Sequence, residues 1–177
     1  VQLSDAGTYT VAISNEAGSE ESAPATLALE GVPLIELRDN FADRLVFSEP
    51  TGLGRTNNTT ATREQDEPRH AGKPGANSLW LSWVAPADGI ATFSTQGSSF
   101  DTLLAVYQGT TLAELGNRAV ASDEDSGGFL TSKLSFNAQQ GVAYAVAVDG
   151  FAGATGEAVL IGNVEGEARQ PGITSAP

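Results

Sequence analysis

The chain has 177 residues, 22 Asp and Glu against 9 Lys and Arg, and a formal net charge of −13. That balance excludes nucleic acid as a partner, because binding phosphates needs a basic surface, and it argues against anionic membrane surfaces. Cysteine is absent, which removes disulfides and thiolate chemistry, and no apolar run is long enough to insert into a bilayer as a helix.

The composition is 40% hydrophobic, with 20 Gly and 8 Pro, which predicts short strands joined by turns around a buried core. No long stretch has helical periodicity; the nearest candidates, residues 39–46 and 111–115, are both short. The first element is a ribbon. In "DAGTYTVAISNEAG", Tyr9, Val11 and Ile13 alternate with small or polar neighbours, the period of a half-buried strand. Residues 15–18 supply turn chemistry, and a second strand puts Ala25, Leu27 and Leu29 on one face. A lone two-stranded ribbon is marginal in water, and burying one Val, Leu or Ile is worth about 1.5–3 kcal/mol. Tyr9, Val11, Ile13, Leu27 and Leu29 are therefore expected to dock, in cis or in trans, on a surface outside the ribbon.

Residues 1–30 read as this hairpin, 31–164 as the main domain, and 165–177, polar and Pro-containing, as a linker. The chain is expected to be a segment of a larger polypeptide. In the main domain, strands are predicted at 79–84 ("LWLSWV"), 90–95, 102–107 ("TLLAVY"), 118–122, 133–137, 142–148 ("VAYAVAV") and 157–161. Their spacing, with turn signals between, predicts an all-β fold, an antiparallel β-sandwich or jelly roll.

Two resemblances rest on these blocks. Asp5, Gly7 and Tyr9, with Asn15 and Gly18 after them, resemble the closing strands of an immunoglobulin-like (I-set-like) domain. The likeness implies a tyrosine corner at Tyr9; Val11 stands where many members have cysteine. The blocks "RDNFADRLVF", "EPRHAGKPGANSLWLSW", "GSSFDTLLAVYQG", "SDEDSGG" and "VAVDGFAGATGEAVL" resemble, in order, the bacterial pre-peptidase C-terminal (PPC) domain family. That resemblance implies a non-catalytic sandwich appended to secreted enzymes and adhesins. Some relatives bind collagen or polysaccharide, and some bind calcium near the start of the domain; Asp39 and Asn40 correspond to those calcium-binding positions.

Calcium takes six to eight oxygens from carboxylates, amides and carbonyls. The loop "REQDEPRHAG" adds Glu64, Asp66, Glu67 and His70 to Asp39 and Asn40, a candidate calcium cluster. The alternative is a salt-bridged loop in which Arg63 and Arg69 pair these carboxylates. Asp123 and Asp125, with Glu124 between them and Ser126, Gly127 and Gly128 after, are a second metal candidate; a metal-free turn is the reading favoured. His70 is the chain's one histidine and is expected to hydrogen-bond within its loop. Asp101 and Asp149 are the carboxylate pair to weigh for glycoside hydrolysis, against structural roles at a strand start and a hairpin corner. Trp80 and Trp83, three apart on a strand, point to opposite faces. One is core; the other is either covered by the long loop or a sugar-stacking platform, and Trp80 with Tyr107 are the ligand-binding candidates. Asn57 and Asn58 begin glycosylation-type sequons.

Three functions follow. The first is an extracellular or cell-surface structural and adhesive module, self-associating or packing on neighbouring domains, with strand exchange building a head-to-tail filament. The second is a module that binds polysaccharide or extracellular protein for a secreted enzyme. The third, an enzyme, has the least support, with one histidine and no recognised catalytic motif.

Overall fold

The computed structural model describes residues 7–15, 18–27 and 31–166. Leu29 and residues 167–177 of the expected linker lie outside that set. The ribbon forms antiparallel ladders, but the strand expected through Tyr9, Val11 and Ile13 is interrupted at Thr10 and Val11. β1 (Gly7–Tyr9) pairs with β4 (Ala25–Leu27), and β2 (Ala12–Asn15) pairs with β3 (Gly18–Glu21), both antiparallel. Between the two ladders Ser22 N–H donates to Val11 O, and Val11 N–H donates to Ser22 Oγ, each at 2.9 Å. The described side chains of the ribbon are exposed, with Tyr9 at 52%, Val11 at 62% and Ile13 at 70%.

The remaining strands are β5 (Val46–Phe47), β6 (Thr51–Asn57), β7 (Leu79–Val84), β8 (Gly89–Ser94), β9 (Thr102–Tyr107), β10 (Ala119–Asp123), β11 (Lys133–Ala138), β12 (Ala143–Gly150) and β13 (Glu157–Gly166). They make a five-stranded sheet, β10-β9-β12-β7-β5, and a four-stranded sheet, β11-β8-β13-β6. All pairs are antiparallel except β5 with β7. The all-β expectation holds, and each strand predicted in the main domain is present. The two helix candidates reduce to a single 3-10 turn, Phe41–Asp43, and a four-residue helix α1 (Leu112–Leu115).

The two sheets differ in how their faces are covered. In the four-stranded sheet β11 alternates buried and exposed residues, the pattern of one face on the core and one in solvent. In the five-stranded sheet β9 is buried at every position and β12 at all but its first. Leu79, Leu81, Trp83, Leu104, Val106, Tyr144, Val146 and Val148 fill the space between the sheets with Phe93 and Phe136. Trp80, Ala105, Tyr107, Ala145 and Ala147 face the other way and are covered by Phe41 and Leu115. Continuous runs such as "TLLAVY" are the sequence signature of a strand buried on both faces.

β6 and β5 carry no such signal. "TGLGRTN" reads as turn chemistry, yet Gly52 and Gly54 are there because the lead-in segment crosses them. A Cβ on Gly52 would lie 2.4 Å from the Phe47 ring, and one on Gly54 2.7 Å from Ile35 O. Close backbone approach is a standing reason for glycine within a strand.

Candidate functional site

The outer face of the five-stranded sheet is closed by the long loop 58–78, and that closure is polar as well as apolar. Asp149 sits near the end of β12, and its Oδ1 accepts from the N–H groups of Ala76 (3.2 Å), Asn77 (2.9 Å) and Gly150 (2.7 Å). Gly75 makes room for that carboxylate: a Cβ there would stand 1.7 Å from Asp149 Oδ2. Earlier in the loop Glu67 Oε2 accepts from Glu64 N–H at 2.9 Å, while Oε1 lies 3.0 Å from His70 Nε2. His70 Nδ1 lies 2.8 Å from the Tyr107 hydroxyl on β9.

Burial alone would push the Glu67 carboxyl up. Hydrogen bonds from His70 and Glu64 N–H, the adjacent imidazole and Ser78 outweigh it and hold the group below its ordinary range. An ionised Glu67 can only accept, so His70 Nε2 carries a proton; in the neutral imidazole Nδ1 then accepts from the Tyr107 hydroxyl. Tyr107 is in turn pushed well above the usual phenol range, first by burial, then by Glu67 and Asp149. Glu67, His70, Tyr107 and Asp149 are all buried. The Trp80 ring packs edge-on to His70 at 5.2 Å and to Phe41 at 5.0 Å between centroids, and its buried Nε1–H has no hydrogen-bond partner among the described residues.

His70 thus makes its loop bond, as expected, and also reaches the sheet. Trp83 lies in the core and Trp80 lies under the loop, the covered alternative of the two. Trp80 is 0% exposed and Tyr107 2%, so neither offers a ring face to a ligand in solvent. Asn58 is buried, with Nδ2 donating to Asn77 O and Ala154 O and Oδ1 accepting from Gly156 N–H, so its sequon is structural here.

The carboxylates of the proposed calcium cluster go to different places. Asp39 Oδ1 accepts from Thr62 N–H at 2.7 Å; Asn40 Nδ2 donates to Asp43 Oδ2 at 2.9 Å; Glu64 Oε2 accepts from Phe41 N–H at 2.6 Å. Asp66 is exposed at a positive φ of 65°. Glu67 belongs to the buried network. Arg63 donates to Glu67 O at 2.6 Å, a backbone contact in place of the carboxylate pairing expected of it. Asp39, Asn40 and Asp43 line a cleft of about 340 Å³ with Thr56, Asn57 and Thr60; neither histidine nor an aromatic ring lines it. Asp123 accepts from Ser126 N–H, Ser126 Oγ and Lys133 N–H, and Asp125 O accepts from Gly128 N–H, so the segment forms a hydrogen-bonded turn. Asp101 is raised by burial, then by Asp125 and Glu124, and its buried Oδ1 lacks a partner.

Among the described residues, the His, Asp and Glu side chains that gather three ligand atoms within 4.8 Å of one another are Glu67, His70 and Asp149. Sequence reading put Glu67 and His70 in one loop but left Asp149 apart from them. Its Asp-Gly block gave a turn signal and no hint that β12 ends beneath the loop.

No family model matches the chain, and no curated protein matches it. A solved structure described as "Structural basis for the promiscuous specificity of the carbohydrate-binding modules from the beta-sandwich super family" is similar over 90% of this chain and 73% of that one, at 13% identity and a TM-score of 0.28. A score that low bears on neither the function nor the detailed fold of this chain.

Proposed function

We propose that the chain is a non-catalytic extracellular module of a larger secreted or surface protein, structural or adhesive in role. In this reading its sandwich is of the PPC type and its ribbon the closing strands of an immunoglobulin-like unit. The observation that carries the proposal is the ribbon of β1–β4, along which the apolar side chains Val11, Ile13 and Leu27 stand in solvent. Exposed apolar β surface of this kind is a template for another strand. The reactive side-chain types support the non-catalytic half of the proposal, since His70, Glu67 and Asp149 are sealed from substrate.

Strand complementation between copies would build a head-to-tail filament. Sedimentation and electron microscopy of the full chain test this, with Ile13→Asp as the control. Concentration-dependent oligomers lost in Ile13→Asp are expected; a monomer at every concentration overturns the filament. A second reading, a polysaccharide- or protein-binding module, is favoured by the 340 Å³ cleft, half polar and half apolar, where Asp39, Asn40 and Asp43 beside Arg38 would hold hydroxyl groups or calcium. Retarded migration in polysaccharide gels, abolished by Asp43→Ala, would favour it over the first.

A further inference from the structure

Glu67 and Asp149 bring two carboxylates into the interior beside one imidazole, and among the described contacts no Lys or Arg side chain pairs with either carboxylate. Buried carboxylates are costly unless compensated. The Asp149 bonds described above all fall on Oδ1, and Oδ2 is the oxygen lying against Gly75. The three ligand atoms lie within 4.8 Å of one another. Tetrahedral ligands of one zinc ion, each about 2.0–2.2 Å from it, stand roughly 3.3–3.6 Å apart. The set needs to draw in by no more than about 1.5 Å to share an ion.

We propose that Glu67, His70 and Asp149 form a closed structural site for a divalent transition-metal ion of the zinc type. The donor set selects the ion. Imidazole nitrogen suits zinc and its neighbours, whereas calcium and magnesium take oxygen. Burial selects the role: three protein ligands leave one tetrahedral position, and in this sealed interior an enclosed water rather than a substrate would fill it. The position of the ligands gives the consequence. Asp149 belongs to β12, and Glu67 and His70 belong to the loop, so one ion would tie loop to sheet across the Trp80 ring. Tyr107 supplies the supporting contact that ligating histidines use to fix their tautomer. Without metal, Nε2–H donates to Glu67. With metal on Nε2, the imidazole proton moves to Nδ1, which then donates to Tyr107 Oη.

The experiment uses the full chain without an affinity tag, stripped with EDTA and labelled with ¹⁵N, and follows the imidazole nitrogens by NMR during zinc titration, with calcium in parallel. The chain has one histidine, so the imidazole signal belongs to His70 alone. The expected result is one zinc per chain, a metal-shifted Nε2, a proton on Nδ1 and a raised melting temperature, with no effect of calcium on the imidazole. Asp149→Asn should weaken zinc binding by more than the roughly 10–100-fold that follows loss of an outer-shell partner. The proposal is overturned if zinc binds with the imidazole unchanged, which would place it on surface carboxylates, or if zinc does not bind. If Asp149→Asn fails to fold by circular dichroism, the wild-type imidazole signal decides alone.

Discussion

The two faces of the five-stranded sheet are buried to a similar degree by different means. Toward the four-stranded sheet, Trp83 meets Phe93, Phe136 and Tyr144 with ring centroids 5.4, 6.2 and 5.8 Å away, and aliphatic side chains fill the rest. That face is held by apolar area, which is non-directional and proportional to surface removed from water. Toward the loop, a smaller apolar patch around Trp80 is fastened at its margin by directional bonds to Asp149, Glu67 and Tyr107. A loop has no partner strand to order it, so its backbone N–H groups must find acceptors elsewhere; Asp149 Oδ1 accepts from two of them, Ala76 and Asn77. The inner face should therefore answer to changes in volume, and the outer face to changes in protonation and hydrogen bonding.

The largest test of that contrast is Trp83→Ala, expected to cost about 3–5 kcal/mol by chemical denaturation, with a pH dependence parallel to that of the wild type. Asp149→Asn, nearly unchanged in volume, should cost about 1–3 kcal/mol by leaving buried partners unsatisfied. Limited proteolysis should then cut within residues 58–78 before any other part of the sandwich.

Titration should loosen the outer face from both ends. The folded Glu67 carboxyl sits below its ordinary value of 4.5, so its contribution is complete above that value and is lost as pH falls below it. Folded Tyr107 sits above its ordinary value of 10.0, so its contribution is complete below pH 10.0 and is lost as pH rises beyond it. Stability curves of Glu67→Gln and Tyr107→Phe should each lose one of these limbs and keep the other. A pH profile unchanged in both variants would remove the contrast. The smallest effect is expected from Ile13→Ser in the exposed ribbon, which should shift sandwich unfolding by no more than about 0.5 kcal/mol.

What could be read from the sequence follows from the same physics. "LWLSWV", "TLLAVY" and "VAYAVAV" announce strands, because burial on both faces leaves little room for polar residues in a run. Trp80 and Trp83 announce by parity that they face opposite ways, but parity leaves open whether the second face is covered. β6 is silent because Gly52 and Gly54 serve contacts from Ile35 and Phe47, which no local window contains. The buried network was half legible. Glu67 and His70 share a short block, whereas Tyr107 and Asp149 join them through strand pairing across the sheet. Asp123, in the acidic run before two glycines, makes the turn that its local chemistry announces.

β6 also sets how the sandwich would answer to tension. The lead-in segment bonds to it at Leu53, where Leu53 N–H donates to Pro33 O at 3.1 Å and Ile35 N–H donates to Leu53 O at 2.9 Å. That contact is parallel, and β13 leaves antiparallel along the other side, Asn163 opposite Thr51. Both ends of the sandwich therefore emerge at the same end of one glycine-bearing strand. A pull on the flanking segments would load their hydrogen bonds singly, in the manner of a zipper, rather than together in shear, so this module would yield to modest force and lengthen as a shock absorber does.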